Sequence, residues 1–253
     1  MRIDHMKVIE HQSIATNTFR LVLEGELVEE ISAPGQFVHV QVGSDAHLLR
    51  RPISISEFNH ETKQCTLIYR AGGDGTKLLS KKQAGEEVNV LGPLGNGYSL
   101  PEETSSVLIV GGGIGVPPLY ELSKQLTAAG HQVTHVLGFQ NKEAVFLKEE
   151  FAELGPTFIA TDDGSEGQKG FVTDVINQLH IPFDVVYACG PTPMLKALQT
   201  RIINTPLFIS LEERMGCGIG ACFACVVKQT SNAQNYYKIC CDGPVFAAKE
   251  VVI

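Results

Sequence analysis

The spacing of apolar positions changes once along the chain, near residue 105. Before that point, apolar and polar residues alternate in six short runs: Met6–Glu10, Thr18–Leu23, Gln36–Val42, Arg51–Ser56, Cys65–Tyr69 and Glu87–Leu91. Val, Ile, Thr and Phe fill the apolar positions, and Gly, Pro, Asn and Asp separate the runs. That is the pattern of half-buried strands joined by turns. Without a long helix between them, such strands predict a closed or nearly closed antiparallel barrel. Past Ser105 the period differs. Val107–Val110 is continuously apolar, as expected of a strand covered on both faces. A helix over Leu119–Ala129 follows. Strands at Val133–Phe139, Thr157–Thr161 and Val185–Ala188 then alternate with helices at Ala144–Ala152, Val172–Gln178 and Thr192–Ile202. Alternation of this kind predicts a parallel sheet with helices on both faces, binding ligands beyond the carboxyl ends of its strands. Leu207–Glu213 reads as a last strand leading into a short module rich in glycine and cysteine. The fold class is therefore β plus α/β, with domains at 1–101, 102–208 and 209–253.

The C-terminal module carries the most specific chemistry. Cys217, Cys222, Cys225 and then Cys240 have C-x4-C-x2-C-x14-C spacing, and C-x4-C-x2-C…C is a plant-type [2Fe–2S] pattern. Gly216, Gly218 and Gly220 are expected to supply the positive φ values of a tight thiolate loop. The fourth sulfur must return from elsewhere, and by spacing either Cys240 or Cys241 can supply it. Zinc favours paired C-x2-C motifs or Cys/His mixtures, and no histidine follows His180. A Rieske centre would need two histidines. The odd total of seven cysteines also argues against a disulfide framework. Cys65, in an alternating strand, reads as a core residue.

Charge and composition narrow the partners. A net charge of −8 opposes nucleic-acid binding. No apolar run is long enough to span a membrane, and the N-terminal residues lack a signal-peptide core. Clustered thiols without a secretion signal point to the cytoplasm.

Two motifs in the barrel suggest anion binding. Arg51-Pro52-Ile53-Ser54 places an arginine, suited to bidentate phosphate contact, beside a proline that cannot donate a ladder hydrogen bond. That strand is expected to be unpaired locally or to lie at an edge. Tyr69-Arg70-Ala71-Gly72-Gly73-Asp74-Gly75-Thr76 is a glycine-rich turn opening a short helix, where free N–H groups favour an anion. In the α/β part, Gly111–Gly115 follows the first strand and Cys189-Gly190-Pro191 follows the fourth. The first of these turns is not a strict G-x-G-x-x-G, since Val116 takes the last glycine's place. Cys189 alone would read as a buried thiol; the following Gly-Pro favours a site.

The order of these motifs resembles that of the ferredoxin-reductase superfamily. The string S-L-E-E-R-M-G-C-G-I-G-A-C-x-A-C, followed by C-x-D-G-P-V-F, is similar to the electron-transfer subunits of dihydroorotate dehydrogenase B. The likeness runs through the whole chain. It implies that Arg51, Pro52, Ile53, Ser54, Ile68, Tyr69, Arg70, Gly75 and Thr76 line FAD. Gly92-Pro93-Leu94-Gly95 would be the turn closing the barrel. Gly112, Gly113, Ile114, Gly115 and Pro117 would face the pyridine nucleotide, with Cys189, Gly190 and Pro191 at its nicotinamide end. Cys217, Cys222, Cys225 and Cys240 would hold the [2Fe–2S] cluster, with Glu212 in a structural or flavin-proximal role. Gln140-Asn141-Lys142-Glu143, with one lysine beside a glutamate, is a poor clamp for a 2′-phosphate and favours NAD over NADP.

NADH delivers a hydride, whereas a [2Fe–2S] cluster takes one electron. A flavin joins the two, so no residue is assigned as acid or base. The resemblance implies an FMN-containing catalytic dihydroorotate dehydrogenase subunit as partner, two of each chain forming a heterotetramer in pyrimidine (UMP) biosynthesis. Met215, Ile219, Ala221 and Phe223 would form the docking face. The alternatives are an NAD(P)H reductase subunit serving ferredoxin, sulfur species or hydrogenase, and a non-enzymatic zinc-binding sensor.

Overall fold

The computed structural model describes residues 1–43, 48–179, 181–232 and 234–253. All six expected barrel strands form: β1 (Arg2–Ala15), β2 (Thr18–Glu24), β3 (Phe37–Val40), β4 (Arg51–Asn59), β5 (Gln64–Arg70) and β6 (Glu87–Leu94). They close in the order β1-β2-β5-β4-β3-β6. β1 is longer than its apolar run because it pairs with β6 through its first half and with β2 through its second. Met6, Leu21, Leu23, Val38, Val40, Ile55 and Leu67 fill the interior, each from the inward-facing register of its strand. Gly92-Pro93-Leu94 is not a separate turn but the end of β6, paired with Arg2 and Phe37. The helix opened by the glycine-rich turn is α1 (Asp74–Leu79).

The second layer is a sheet built on β7 (Ser106–Gly112), followed by α2 (Pro118–Ala128), β8 (Gln132–Phe139), α3 (Lys148–Ala152), β9 (Thr157–Thr161), β10 (Gln168–Lys169), α4 (Val172–Ile176), β11 (Val185–Cys189), α5 (Thr192–Arg201) and β12 (Leu207–Ser210). The expected helix at Ala144–Ala152 is shorter. A 3-10 turn, Lys142–Ala144, precedes it, and Leu147 takes a left-handed φ of 58° before α3 starts. Successive β7 residues face opposite ways, as expected for a strand buried twice. Val107 and Ile109 pack with α2, while Leu108 and Val110 pack with α4 and α5.

The C-terminal module contains β13 (Val226–Gln229), β14 (Tyr236–Lys238), β15 (Val245–Ala247) and β16 (Val251–Val252). β13, β14 and β16 make a small sheet of their own. β15 instead joins the larger sheet, antiparallel to β12, giving the order β10-β9-β8-β7-β11-β12-β15. The module therefore does not merely hang from the nucleotide domain. Met215, Cys225, Cys240 and Phe246 share one apolar core with Val186, Ala188 and Leu195, and with Phe37 and Leu94 of the barrel wall.

Tyrosines and one ion pair hold the barrel to the sheet. The Tyr98 hydroxyl donates to the Ala188 carbonyl at 3.3 Å, and that of Tyr187 to the Ser99 carbonyl at 2.7 Å. Lys124 of α2 meets Glu57 of β4 at 2.6 Å. No helix among the described residues is long and apolar enough to cross a membrane.

Candidate functional site

The cysteine loop is organised around sulfur acceptors. Cys217 Sγ receives the N–H groups of Ile219, Ala221 and Cys222 at 3.4, 3.2 and 3.3 Å. Cys222 Sγ receives Cys217 N–H at 3.4 Å, and Cys240 Sγ receives Gly220 N–H at 3.2 Å. Main-chain donors aimed at sulfur stabilise thiolate. Desolvation works to raise the Cys217 thiol, but the N–H groups of Ile219, Cys222 and Ala221 outweigh it and bring the thiol down to about 7. Cys240 goes the other way, pushed up to about 12 by burial and then by its neighbour Cys225. The thiols thus fall into two interacting pairs, Cys217 with Cys222 and Cys225 with Cys240. A dinuclear cluster held here would draw on both pairs of thiols.

The glycines of this loop do different jobs. Gly218 and Gly220 have φ of 72° and 80°, where a side chain is strained. Gly216 has no such φ; it leaves room, since a Cβ there would lie 3.1 Å from Cys222 Sγ. Phe223 takes a left-handed φ of 54° unaided. Cys241 Sγ lies beside Gly220, 2.8 Å from where its Cβ would be, yet only Cys240 of the adjacent pair receives a main-chain N–H from the loop.

The barrel opens a slot where its sequence has a proline. β4 pairs with β5 only from Ile55 onward, while Arg51–Val40 through Ser54–Phe37 pair β4 with β3. The last residues of β5, Ile68–Arg70, pair with β2. Arg51–Ser54 and Ile68–Arg70 therefore leave main-chain edges turned toward each other without ladder bonds, and such groups need partners. Arg51 closes one end: a Cβ on Gly75 would sit 2.7 Å from its Nε. Thr76 lies one residue on, its hydroxyl donating to the Gly73 carbonyl at 3.0 Å. Ile53 and Tyr69 turn their side chains into the barrel, at 6% and 3% exposure. The Tyr69 hydroxyl meets His11 Nε2 at 2.9 Å. What these two residues can offer a ligand is main chain. The inward parity of β4 and β5 explains this placement.

Between barrel and sheet lies a cleft of about 720 Å³ at the carboxyl ends of the strands. Gly112, Gly113, Ile114 and Gly115 line it from the first turn, Gly190 and Pro191 from the second, and Arg70 from the barrel. The two turns touch. A Cβ on Gly190 would lie 3.0 Å from Gly112 N, and one on Gly115 would lie 2.4 Å from the Cys189 carbonyl oxygen. Pro117 and Cys189 do not line this cleft. Pro117 is the buried cap of α2, and Cys189 is 1% exposed, its thiol raised by burial and by the Glu212 charge. Sequence reasoning missed Asp162, Phe171, Met194 and Arg201, which also line the cleft. Asp162 follows β9, Phe171 caps α4, and Met194 and Arg201 lie on α5, with no local motif to mark them. Glu212 lines it too, and desolvation raises its carboxyl.

Three family models match in the order of these three sites. Residues 5–98 match an oxidoreductase FAD-binding domain and residues 109–200 an oxidoreductase NAD-binding domain. Residues 212–252 match the iron-sulfur cluster binding domain of dihydroorotate dehydrogenase B. The dihydroorotate dehydrogenase B (NAD(+)) electron transfer subunit of Geobacillus sp. (strain WCH70) is 59% identical, covering 100% of both chains. That of Bacillus caldolyticus is 57% identical over 99% of this chain and 98% of its own. The chain belongs to the dihydroorotate dehydrogenase B electron transfer subunit family. Among solved structures, an NADH-dependent reduced ferredoxin-NADP oxidoreductase superposes with a TM-score of 0.89 at 31% identity, covering 98% of this chain and 89% of that one. A ferredoxin reductase of carbazole 1,9a-dioxygenase, at 15% identity and a TM-score of 0.71, shares the fold.

The site residues fit the groups this family carries. The paired, N–H-directed sulfurs fit a dinuclear cluster. The splayed β4–β5 slot with Arg51 fits a heterocycle and its diphosphate, and the glycine-floored cleft fits a dinucleotide. Phe37 and Leu94 of the barrel wall share a core with Cys225 and Cys240, so the slot-bearing barrel abuts the sulfur loop.

Proposed function

We propose that this chain passes electrons between NAD and the FMN of a catalytic dihydroorotate dehydrogenase subunit, by way of FAD and a [2Fe–2S] cluster. One observation carries the reading: a single short segment reaches the nucleotide cleft, the sulfur loop and the barrel. Glu212 lines the nucleotide cleft, Cys217 opens the sulfur loop, and Gly218 packs against His39 of the barrel. When bound, FAD would supply the exchange between hydride and single electrons, and the cluster would carry them singly.

The chain's own residues position and tune. Arg51 and the Gly75-Thr76 turn hold the diphosphate of FAD, with Pro52, Ser54, Ile68 and Arg70 along the slot and main chain from Ile53 and Tyr69. Gly112, Gly113, Ile114 and Gly115 let NAD approach the sheet, and Gly190 and Pro191 border its nicotinamide. Cys217, Cys222, Cys225 and Cys240 ligate iron, and N–H groups of Ile219, Gly220, Ala221 and Cys222 offset the negative charge on sulfur. No proton transfer from a side chain is needed. Domains at 1–101, 102–208 and 209–253 divide these tasks. Lys142 leans toward Glu143 at 4.0 Å, which leaves the turn after β8 poorly equipped for a 2′-phosphate and favours NAD.

Two copies each of this chain and the catalytic subunit would assemble in the cytoplasm. Ile219 and Phe223 are exposed beside the cluster loop and form the docking face together with Ala221. Met215 is buried in the shared core and is withdrawn from that face. The 59% identity to a dihydroorotate dehydrogenase subunit outweighs the 31% likeness to the ferredoxin-linked enzyme in choosing the client. Mixing the purified chain with the catalytic subunit should give dihydroorotate-dependent formation of NADH. A fully flavinated, iron-loaded mixture without turnover would reject this client.

A further inference from the structure

His39 is fully buried, and neither of its ring nitrogens has a hydrogen-bond partner among the described residues. The other buried imidazoles among the described residues are paired. His131 Nδ1 accepts from Ser105 N–H at 3.1 Å, and His135 meets Ser123 Oγ at 2.7 Å and Thr157 Oγ1 at 3.0 Å. An interior that satisfies its histidines elsewhere leaves His39 as an exception that asks for an acceptor. Neutral or protonated, its imidazole carries at least one ring N–H to donate.

The ring lies against the sulfur loop. His39 stands on β3 opposite Pro52 of the slot, and its ring packs on the sulfur loop. A Cβ on Gly218 would lie 2.7 Å from Cε1, 2.8 Å from Nδ1 and 3.1 Å from Nε2. The loop carries a glycine at the one place where the imidazole fills the space of a side chain. Gly218 directly follows Cys217, and Phe37, on the same strand as His39, has its ring centroid 5.9 Å from the imidazole. Were packing the only task, an apolar ring would serve as well, because replacing an unpaired polar group by an apolar one of the same shape is neutral or stabilising.

We propose that His39 is a positioning residue of the electron path, donating its ring N–H to a sulfur atom of the bound [2Fe–2S] cluster and thereby tying the flavin-bearing barrel to the cluster loop. The proposal rests on the cysteine loop being a cluster site. A hydrogen bond to cluster sulfur favours the reduced, more negative state and raises its potential.

The test uses the FAD- and iron-loaded chain in complex with its catalytic subunit, titrated potentiometrically with EPR for the cluster and absorbance for the flavin. His39→Phe keeps a ring and removes the donor. It should favour the oxidised cluster by roughly tenfold, a fall of about 59 mV for a one-electron couple. His39→Gln, which keeps a neutral N–H, should recover more than half of that. The flavin potential should stay put in both. An unchanged cluster potential in His39→Phe, equal shifts in both variants, or a shift of the flavin in place of the cluster would each overturn the proposal. A second measurement needs no variant. Wild-type protein labelled with 15N-histidine should show weak 15N hyperfine coupling to the reduced cluster, and a cluster signal without that coupling also overturns it. A wild-type sample with no cluster signal speaks against the cluster site itself, not against His39.

Discussion

Gly115→Ala is the sharpest perturbation of the nucleotide cleft. The residue's φ lies outside the left-handed region, so an alanine there carries no conformational penalty and the effect is steric. Its Cβ would fall 2.4 Å from the Cys189 oxygen and 2.5 Å from both the Cys189 carbonyl carbon and the Gly190 nitrogen. All three atoms are main chain and cannot swing aside as a flexible side chain would. The two turns that floor the cleft must therefore separate. Overpacking of this kind costs about 1–3 kcal/mol. If the cost falls on dinucleotide affinity, at about 1.4 kcal/mol per tenfold, the Kd rises by roughly 5- to 150-fold. The assay is the KM for NADH with ferricyanide as acceptor, on protein whose flavin content matches wild type. Gly130→Ala is the control: it has open space around it and a φ of 87°, lies at the turn between α2 and β8, and should lower stability while leaving the KM unchanged. A KM for Gly115→Ala within twofold of wild type, with flavin intact, would refute the reasoning.

The other predictions concern the cluster, the partner and pH. Cys240→Ser should abolish the cluster's visible and paramagnetic signals while Cys241→Ser keeps them, because only Cys240 accepts the Gly220 N–H and pairs with Cys225; iron analysis of both variants checks this, and the reverse result would move the fourth ligand to Cys241. Phe223→Asp should weaken association with the catalytic subunit at least tenfold in analytical ultracentrifugation without changing NADH–ferricyanide turnover; undiminished association would take the docking face elsewhere. His135 is buried and held at about 4, below its ordinary value, chiefly by desolvation. The unfolded chain takes its proton first as pH falls, so stability is complete above about 6.5 and is lost through the window down to about 4. Wild type should therefore lose on the order of 2–3 kcal/mol more than His135→Gln between pH 7 and 4.5 in urea unfolding; equal losses would contradict this.

Much of this architecture is legible in the residue order, for local reasons. Period-two alternation marks the barrel strands, and the doubly apolar Val107–Val110 marks the buried strand of the sheet. Pro52 announces a stretch of β4 free of β5, because a residue without N–H suits a place where the ladder is open. What stays hidden is set by distant contacts. β15 joins the larger sheet because Val245–Ala247 meets Phe208–Ser210, and no local pattern in three residues foretells that. Ile53 and Tyr69 belong to motifs that imply ligand contact, yet strand parity in a closed barrel turns their side chains inward. Pro117 and Cys189 belong to motifs that imply nucleotide contact, and the structure places them at the cap of α2 and in the core. The match of Gly218 to His39 joins residues far apart in the chain, and a glycine in a cysteine loop has a sufficient local explanation until the ring beneath it is seen.

The decisive measurement is anaerobic addition of NADH to the purified wild-type chain, followed by absorbance and low-temperature EPR. Bleaching of the flavin accompanied by a paramagnetic reduced-cluster signal is the predicted result, since paired electrons would enter at the cleft and reach the sulfur loop singly. Flavin bleaching in iron-replete protein with no such signal would contradict it.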